Sequence, residues 1–381
     1  MKSTYKRLGD YIRQVDVRNR DEKVTRLLGV SIDKKFIESI ANTIGTDMSV
    51  YKIVRYGQFA YGPVTSRNGD KVSIALLTEA ECIISSSYTV FEVIDKKVLL
   101  PEYLMLWFMR PEFDRYARFH SHGSAREIFD WEEMCNVELP IPPIEEQQKI
   151  VDAYQTIEHR ITLKKKINEN LETQIYAWFQ IIFIKNLNYN HWERLSLKDL
   201  VTVIDNRGKT PPFTTIKNDY PLIEIGAIHS AGRIIDYNQV EKYIQRTTYL
   251  NWFRSGHPKQ YDILMSTVGS LAELKLFYGD KGSIAQNLVA FRAKDESFAL
   301  YIYQYLCWKQ RDLLSYEIGS VQASIKVSQI INFLVAVPPI SSIEKFNYLA
   351  RQATEIIYNN EIMVLRLSEL QSMLMSLLSS L

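Results

Sequence analysis

Cysteine is scarce. The 381-residue chain holds Cys82, Cys135 and Cys307, all far apart. That excludes a CxxC pair and a secreted disulfide framework, and leads to the expectation of reduced thiols in a cytoplasmic protein. Glycine (15) and proline (12) are too few for a collagen-like or disordered chain. Of the six histidines only His120 and His122 are neighbours, and no cysteine or histidine cluster completes a metal site. No apolar run reaches the length of a membrane span; the run from Ile175 to Ile184 is short and interrupted by Gln180. The opening MKSTYKRLGDYI places charges where a signal peptide needs an apolar stretch. Charge of one sign is missing too. Lys plus Arg total 46 and Asp plus Glu 44, a net +2, so this is neither a polycation nor an acidic tail protein.

What the chain does have is 46% apolar residues and enough length for two or three domains, each able to bury a core. It also repeats itself. PIPPI at 140–144 faces AVPPI at 336–340, and Pro143 and Pro339 lie 196 residues apart. Gly123-Ser124 and Gly319-Ser320 share that offset, as do Asn136 and Asn332. Further upstream, YLMLWFM from Tyr103 faces YIYQYLCW from Tyr301, and TVFEVID from Thr89 faces VAFRAKD from Val289. YGQFAY from Tyr56 faces YDILMS from Tyr261, and YKRL from Tyr5 faces WERL from Trp192. The shared order indicates a duplicated architecture.

Each Pro-Pro opens a helix. Pro143 suits a first helical position, and Glu145 and Glu146 suit the positive end of the helix dipole. A seam of four- and three-residue steps then runs through Ile150, Tyr154, Ile157, Ile161, Leu171, Ile175 and Trp178. A second passes through Leu349, Ala353, Ile356, Asn360, Met363, Leu367, Leu370 and Leu374. Such spacing is that of a coiled coil. Polar residues interrupt both seams, Lys164 and Asn168 in one and Asn360 in the other; a polar seam residue costs stability but fixes register. Two unrelated amphipathic helices, each packed on its own domain, are the alternative. At ~1.5 Å per residue, however, forty residues span about 60 Å, more than one ordinary domain covers.

The stretches between the helices mix strands with helices. KVSIALL, ECIISSSYTVFEVI, YPLIEIGAI, YDILMSTV and NLVAFRA read as strands; PEYLMLWFMRPEFDRYARF and ALYIYQYLCWKQRDLLSY read as amphipathic helices. The order is not βαβ, so the class expected is α+β. The boundaries expected are a first globular domain at 1–143, a central long helix at 144–186, a second globular domain at 187–339 and a C-terminal long helix at 340–381.

Catalytic motifs fall short. Arg207-Gly208-Lys209-Thr210 resembles the end of a P-loop, but the required upstream glycine position holds Val203. Thr210-Pro211-Pro212-Phe213 is similar to the D/N-P-P-Y/F motif of amino-methyltransferases, with threonine in place of the leading Asp or Asn. No nucleophile, base or metal cluster stands out, so no catalytic, cofactor-binding or metal residue is assigned, and binding is favoured over catalysis. Loop clusters of the side chains that read phosphates and base edges are present. In the first copy they are Arg18 and Arg20; Arg67, Asn68 and Lys71; and His122, Ser124 and Arg126. In the second they are Arg207, Lys209 and Thr210; His229 and Arg233; and Ser320, Gln322, Ser324 and Lys326. Singly, each such cluster is more often a solvated loop; their recurrence in both copies is the argument for recognition.

Taken together, LPIPPIEEQQKI (139–150) with its counterpart AVPPISSIEKF, the two Gly-Ser loops, WERLSLKDL followed by RGKTPP and YPLIEIGAIHSAGRI, YDILMSTVG and AQNLVAF resemble the DNA specificity subunit of type I restriction-modification systems. The second copy departs at Ser341-Ser342, where the first has Glu145-Glu146. The first lacks the G-x-TPP turn and has Arg18-Asn19-Arg20-Asp21 instead. The resemblance implies two target-recognition domains separated by an antiparallel coiled coil in a pseudo-twofold arrangement. Each domain would read one half of a bipartite site in double-stranded DNA, and the helix pair would set the spacer. It further implies a non-catalytic chain without cofactor. S-adenosylmethionine and ATP would sit on partners: two methyltransferase subunits and, beyond them, restriction and translocase subunits. Two other readings are a stand-alone adenine methyltransferase and a coiled-coil protein-binding scaffold.

Overall fold

Four short strands carry the centre of the first copy. The computed structural model describes residues 5–39, 45–66, 68–69, 71–122, 127–279, 282–319 and 323–378. Strands β1 (Ile12–Val15), β2 (Gln58–Tyr61), β3 (Ile74–Leu76) and β4 (Thr89–Val93) form an antiparallel sheet in the order β1-β4-β2-β3. Phe59 on β2 lies directly opposite Phe91 on β4, and the rings stack with centroids 4.8 Å apart. Such a pair adds about 0.5–1.5 kcal/mol beyond the area it buries.

Helix α1 (Pro101–Met109) covers this sheet and buries nearly every side chain it has. The residue before a proline disfavours helical backbone. Arg110 accordingly turns extended (ψ 140°) and Pro111 starts a new helix, α2 (Pro111–Phe119). The single helix expected over 101–119 is therefore two. The run from Glu81 to Ile94 also divides, into Cys82–Ile84, paired with Lys52–Val54, and β4. Beyond Pro143 runs the long helix α3 (Ile144–Phe179), whose end widens to π geometry over Gln180–Ile184.

The second copy repeats the plan. Strands β5 (Val201–Ile204), β6 (Ile263–Ser266), β7 (Leu274–Leu276) and β8 (Leu288–Ala293) take the order β5-β8-β6-β7. Helices α4 (Ala299–Trp308) and α5 (Gln310–Leu314) stand where α1 and α2 stand in the first copy, and the long helix α6 (Ile340–Leu377) closes the chain as α3 closes the first. YPLIEIGAI is a strand only over Pro221–Ile223 and then a short helix, Ile225–Ile228. Mixed strands and helices without βαβ order make the class α+β. No helix among the described residues is long and apolar enough to cross a membrane.

Backbone hydrogen bonds fix the equivalences between copies. Thr89 answers to Val289 and Tyr103 to Tyr301: the Tyr103 hydroxyl donates to Pro140 O (3.1 Å) and the Tyr301 hydroxyl to Ala336 O (2.6 Å). Two alignments shift. Leu8 N–H donates to Val137 O and Leu197 N–H to Phe333 O, so the counterpart of Leu8 is Leu197, not Leu195. Gly57 N–H donates to Leu77 O and Tyr261 N–H to Phe277 O, so Gly57, not Tyr56, answers to Tyr261. Both occupy the left-handed region (φ 81° and 68°). Glycine takes that conformation freely; Tyr261 takes it with its ring under the Arg351 guanidinium, 5.4 Å away.

The described chain forms two units, residues 1–159 with 368–381, and residues 160–367. Within the second unit α3 and α6 run antiparallel. Phe179 and Phe183 meet Phe346 (6.3 and 5.4 Å between centroids), while Lys164, far upstream, meets Asn360. Lys164 Nζ donates to Asn360 Oδ1 (2.8 Å), Asn360 Nδ2 to Asn168 Oδ1 (2.8 Å) and Asn168 Nδ2 to Glu361 Oε1 (2.6 Å). The polar interruptions of the two seams thus satisfy one another. Lys164 and Asn360 are also 196 residues apart, the offset of the repeat. In an antiparallel pair of equivalent helices, a residue meets its own counterpart only at the midpoint.

One seam shifts by a residue at alternate positions. Ile356, Met363 and Leu370 are 46%, 47% and 51% exposed, whereas Ile357 and Val364, one residue later, are buried along with Ala350, Ala353, Asn360 and Leu367. Adjacent apolar pairs, Ile356-Ile357 and Met363-Val364, allow either register by pattern alone. The observed one puts the small Ala350 and Ala353 into the cluster that holds Phe179 and Phe183. On α3, Tyr154 and Ile175 are buried, while Ile150, Ile157, Ile161, Leu171 and Trp178 are half-buried, as are Leu349 and Leu374 on α6. In the first unit Leu374, Met375 and Leu378 join Ile150, Val151 and Tyr154 in its core.

Candidate nucleic-acid interface

The loop that follows the first sheet strand has the same construction in both copies. Asp205 follows β5, and its carboxylate accepts from Arg207 N (2.9–3.0 Å with Nε) and from Nη2 (2.7 Å). Burial pushes the Asp205 carboxyl up, but the Arg207 hydrogen bonds outweigh it and hold the group below its ordinary value. In the first copy Asp16 follows β1, and Arg18 grips it through Nε (2.8 Å) and Nη2 (3.0 Å). The Arg18 hydrogen bond likewise lowers the Asp16 carboxyl. β1 and β5 share the same register against β4 and β8, so Asp16 answers to Asp205, Arg18 to Arg207, and Arg20 to Lys209.

The clasp has a consequence for each side chain. Arg18 and Arg207 are committed to carboxylates, and Arg18 Nη1 also donates to Val50 O (2.8 Å). Arg20 and Lys209, two residues on, are exposed, as is Thr210. Each loop is braced from below. Asn19 is fully buried and exchanges hydrogen bonds with the Val24 backbone. Asn206 donates to Gly256 O (2.8 Å) and accepts from Ser255 N (2.9 Å); Ser255 Oγ donates to Asp205 O (2.7 Å); and Arg254 Nη2 donates to Arg207 O (3.2 Å). Asn206, Arg254 and Ser255 were not legible as partners from the sequence, since they lie some fifty residues apart. The Asp-x-Arg spacing in both copies was a usable signal for the clasp.

The Gly-Ser loops also sit on matching stems. Ile128 bridges to Val64 and His122, and Ser324 pairs with Val268 and Ile318. Arg67, Ser124, Arg126, Ser320 and Gln322 lie outside the described residues. Asn68 holds its own turn by donating to Val64 O (3.3 Å), and Lys71 stands 3.6 Å from Asp33. Beside Lys71 opens a cleft of about 830 Å³ with a mixed lining, in which Arg115, Arg118 and the exposed ring of Phe119 stand with Asp33 and with Lys34, itself buried and paired to Asp114 at 2.8 Å. His122 is exposed, 4.0 Å from Glu133, which His120 approaches to 3.1 Å. His229 faces Glu273 at 3.2 Å, and Lys326 is exposed at the start of a short helix.

Arg233 is a correction. Expected on a reading loop, it is instead 1% exposed and bound to Glu172 of α3. A lone arginine after a glycine carries no sequence mark of burial. In Thr210–Phe213 one face of the Phe213 ring is taken by Lys242, whose ammonium lies 4.9 Å from the centroid and 3.0 Å from Glu224. Among the described residues no group of three or more His, Cys, Asp or Glu could hold a metal ion. What the loops offer chemically is exposed cations and hydrogen-bonding groups on braced backbone. That suits phosphate contacts and base-edge readout.

Comparison with known proteins agrees in outline. The family model of the type I restriction modification DNA specificity domain matches twice, over residues 33–173 and 189–348, most of the chain. The HindI specificity subunit of Haemophilus influenzae, a type I restriction enzyme component, is 24% identical over 159 residues, 41% of this chain and 34% of that protein. The MjaIX specificity subunit of Methanocaldococcus jannaschii is 24% identical over 303 residues, 74% of this chain and 69% of that protein. The match therefore spans about a third of the first relative's length and about two thirds of the second's. The crystal structure of a type I restriction-modification S subunit from M. genitalium superposes with a TM-score of 0.62 at 11% identity, covering 98% of this chain and 95% of that one; at that identity the likeness is one of fold.

Proposed function

The chain belongs to the type I restriction modification DNA specificity family, and from that premise we propose that it is the DNA-reading subunit of such a system, each recognition domain reading one half of a bipartite site in double-stranded DNA. The observation that carries the reading is the repeated clasp: Asp16–Arg18 and Asp205–Arg207 hold equivalent loops, and each presents one exposed cation, Arg20 or Lys209. The helix pair sets the unread spacer, with its register fixed by the Lys164–Asn360–Asn168 chain.

The chemistry then belongs to partners. Two methyltransferase subunits would carry S-adenosylmethionine, and restriction and translocase subunits would use ATP. Ile356, Met363, Leu370 and Leu377 lie seven residues apart, hence on one face of α6, and are 46–61% exposed. That stripe supports docking of partner helices against the pair. A stand-alone adenine methyltransferase is disfavoured by the threonine that leads TPPF and by the Lys242 contact on Phe213.

The test is binding of the assembled complex to its target across a salt series. Arg20→Ala and Lys209→Ala should each weaken binding and lower the salt slope by about one phosphate contact. If both variants bind with wild-type affinity and slope, the clasped loops are not the contact surface.

A further inference from the structure

The buried Arg233 has an elaborate setting. The turn Ser230–Gly232 that precedes it is held by Lys275 of β7, whose fully buried ammonium donates to the carbonyls of Ser230 (2.5 Å), Ala231 (3.1 Å) and Gly232. Gly232 has φ 82°, a conformation that suits glycine, and its carbonyl neighbour Arg233 then runs beside β7, with Leu276 N–H donating to Arg233 O (2.7 Å). From this fixed backbone the guanidinium reaches three helices. Arg233 N and Nε donate to Glu172 Oε1 (2.8 and 3.0 Å), and Nη2 donates to Glu172 Oε2 (2.8 Å), on α3. Nη1 donates to Thr354 Oγ1 (3.2 Å) on α6, and Nη2 to Gln304 Oε1 (3.3 Å) on α4.

This is a bidentate fork with every geometric freedom removed. Arginine's planar donors fix orientation as well as distance, which a lysine ammonium does not. A buried ion pair adds little net stability over a well-packed apolar pair of the same volume. The arrangement is therefore better explained by the orientation it imposes than by the energy it supplies. It is also specific to the second copy. By the repeat offset Glu172 answers to Ser368 and Thr354 to Glu158, and by the strand register Lys275 answers to Ala75. Neither partner on the long helices is kept, nor is the lysine that holds the turn.

We infer that Arg233 is a positioning residue for DNA reading: it locks the second recognition domain in one orientation on the helix pair, so that its half-site is accepted at one spacing only. The inference rests on the proposed reading of this chain as a bipartite DNA reader. It assigns to an interior residue a part in specificity that the loops alone do not supply.

The experiment uses the complete complex of this chain with its methyltransferase partners. Duplexes carry both half-sites at the native spacing or with one base pair added or removed. Wild type should prefer the native spacing strongly. The double variant Arg233→Met with Glu172→Leu removes both buried charges together and should bind the native duplex within a few fold of wild type, yet lose at least tenfold of its discrimination against the altered spacings. Arg233→Lys, which keeps the charge but not the fork, should lose part of it, and it decides the matter if the double variant does not fold. Folded variants that keep full discrimination would overturn the positioning role and leave bipartite reading intact. Wild type without any two-part preference would instead overturn the reading itself, and the inference with it.

Discussion

Buried charge in the second unit serves geometry, and Lys275 shows its cost. Burial pushes its ammonium down to about 8 from an ordinary 10.5, against the pull of Glu172. Between those values the unfolded chain binds a proton that the folded chain does not hold, so stability rises as pH climbs through that window. Below about pH 8 both states are charged and the cost is present in full. Compared by urea unfolding from pH 7 to 10.5, wild type should gain on the order of 2 kcal/mol relative to Lys275→Met; a flat difference would mean the three carbonyls fully repay the desolvation. At this scale the sequence was only half legible. The Asp-x-Arg repeat is visible in it, and so are the cations Arg20 and Lys209. That Arg254 braces the Arg207 carbonyl and that Arg233 is buried depend on contacts 47 to 121 residues distant, Arg254 to Arg207 O and Arg233 to Thr354, and no local pattern encodes them.

Among the elements, the long helices were the most readable because proline marks their starts and apolar spacing persists for ten turns. The polar residues at their seams were readable as interruptions, but not as partners of one another. Their meeting changes what a substitution should do. Asn360→Leu alone removes the acceptor of Lys164 and the donor to Asn168, both in a buried or half-buried seam. It should cost about 1–3 kcal/mol in thermal or urea unfolding. Adding Asn168→Leu and Lys164→Leu should recover most of that loss while weakening the register. If the single substitution stabilises the chain, the hydrogen-bonded chain across the helices is not formed in solution. The α6 seam was misread by one residue at alternate positions, because Ile356-Ile357 and Met363-Val364 fit either choice by pattern, while Ala353, Asn360 and Leu367 are buried where the spacing placed them. The strand alignments slipped by one or two residues for a related reason: insertions between copies move a strand, whereas hydrogen-bond register, which reports the true counterpart, is invisible in sequence.

For the molecule as a whole, duplication is the organising fact. One strand order, one pair of covering helices, one clasped loop and one long helix occur twice, while the copies differ in their loops, in the Arg233 clamp and in the strands beside the central sheet, where Lys52–Val54 pairs antiparallel with Cys82–Ile84 in the first and Pro221–Ile223 pairs in parallel with Ser283–Ile284 in the second. On the proposed reading, two similar domains with different loop chemistry would specify an asymmetric two-part target. Half-sites one DNA turn apart are about 34 Å from centre to centre, while 38 residues of α6 extend about 57 Å at ~1.5 Å per residue. If the helix pair sets the spacer as proposed, the unread gap is below two turns. The most direct measurement is a base-resolution map of adenine methylation in cells making this chain with its methyltransferase partners. The account predicts one motif made of two different short half-sites with a constant gap; a continuous motif, or methylation without any motif, would contradict it.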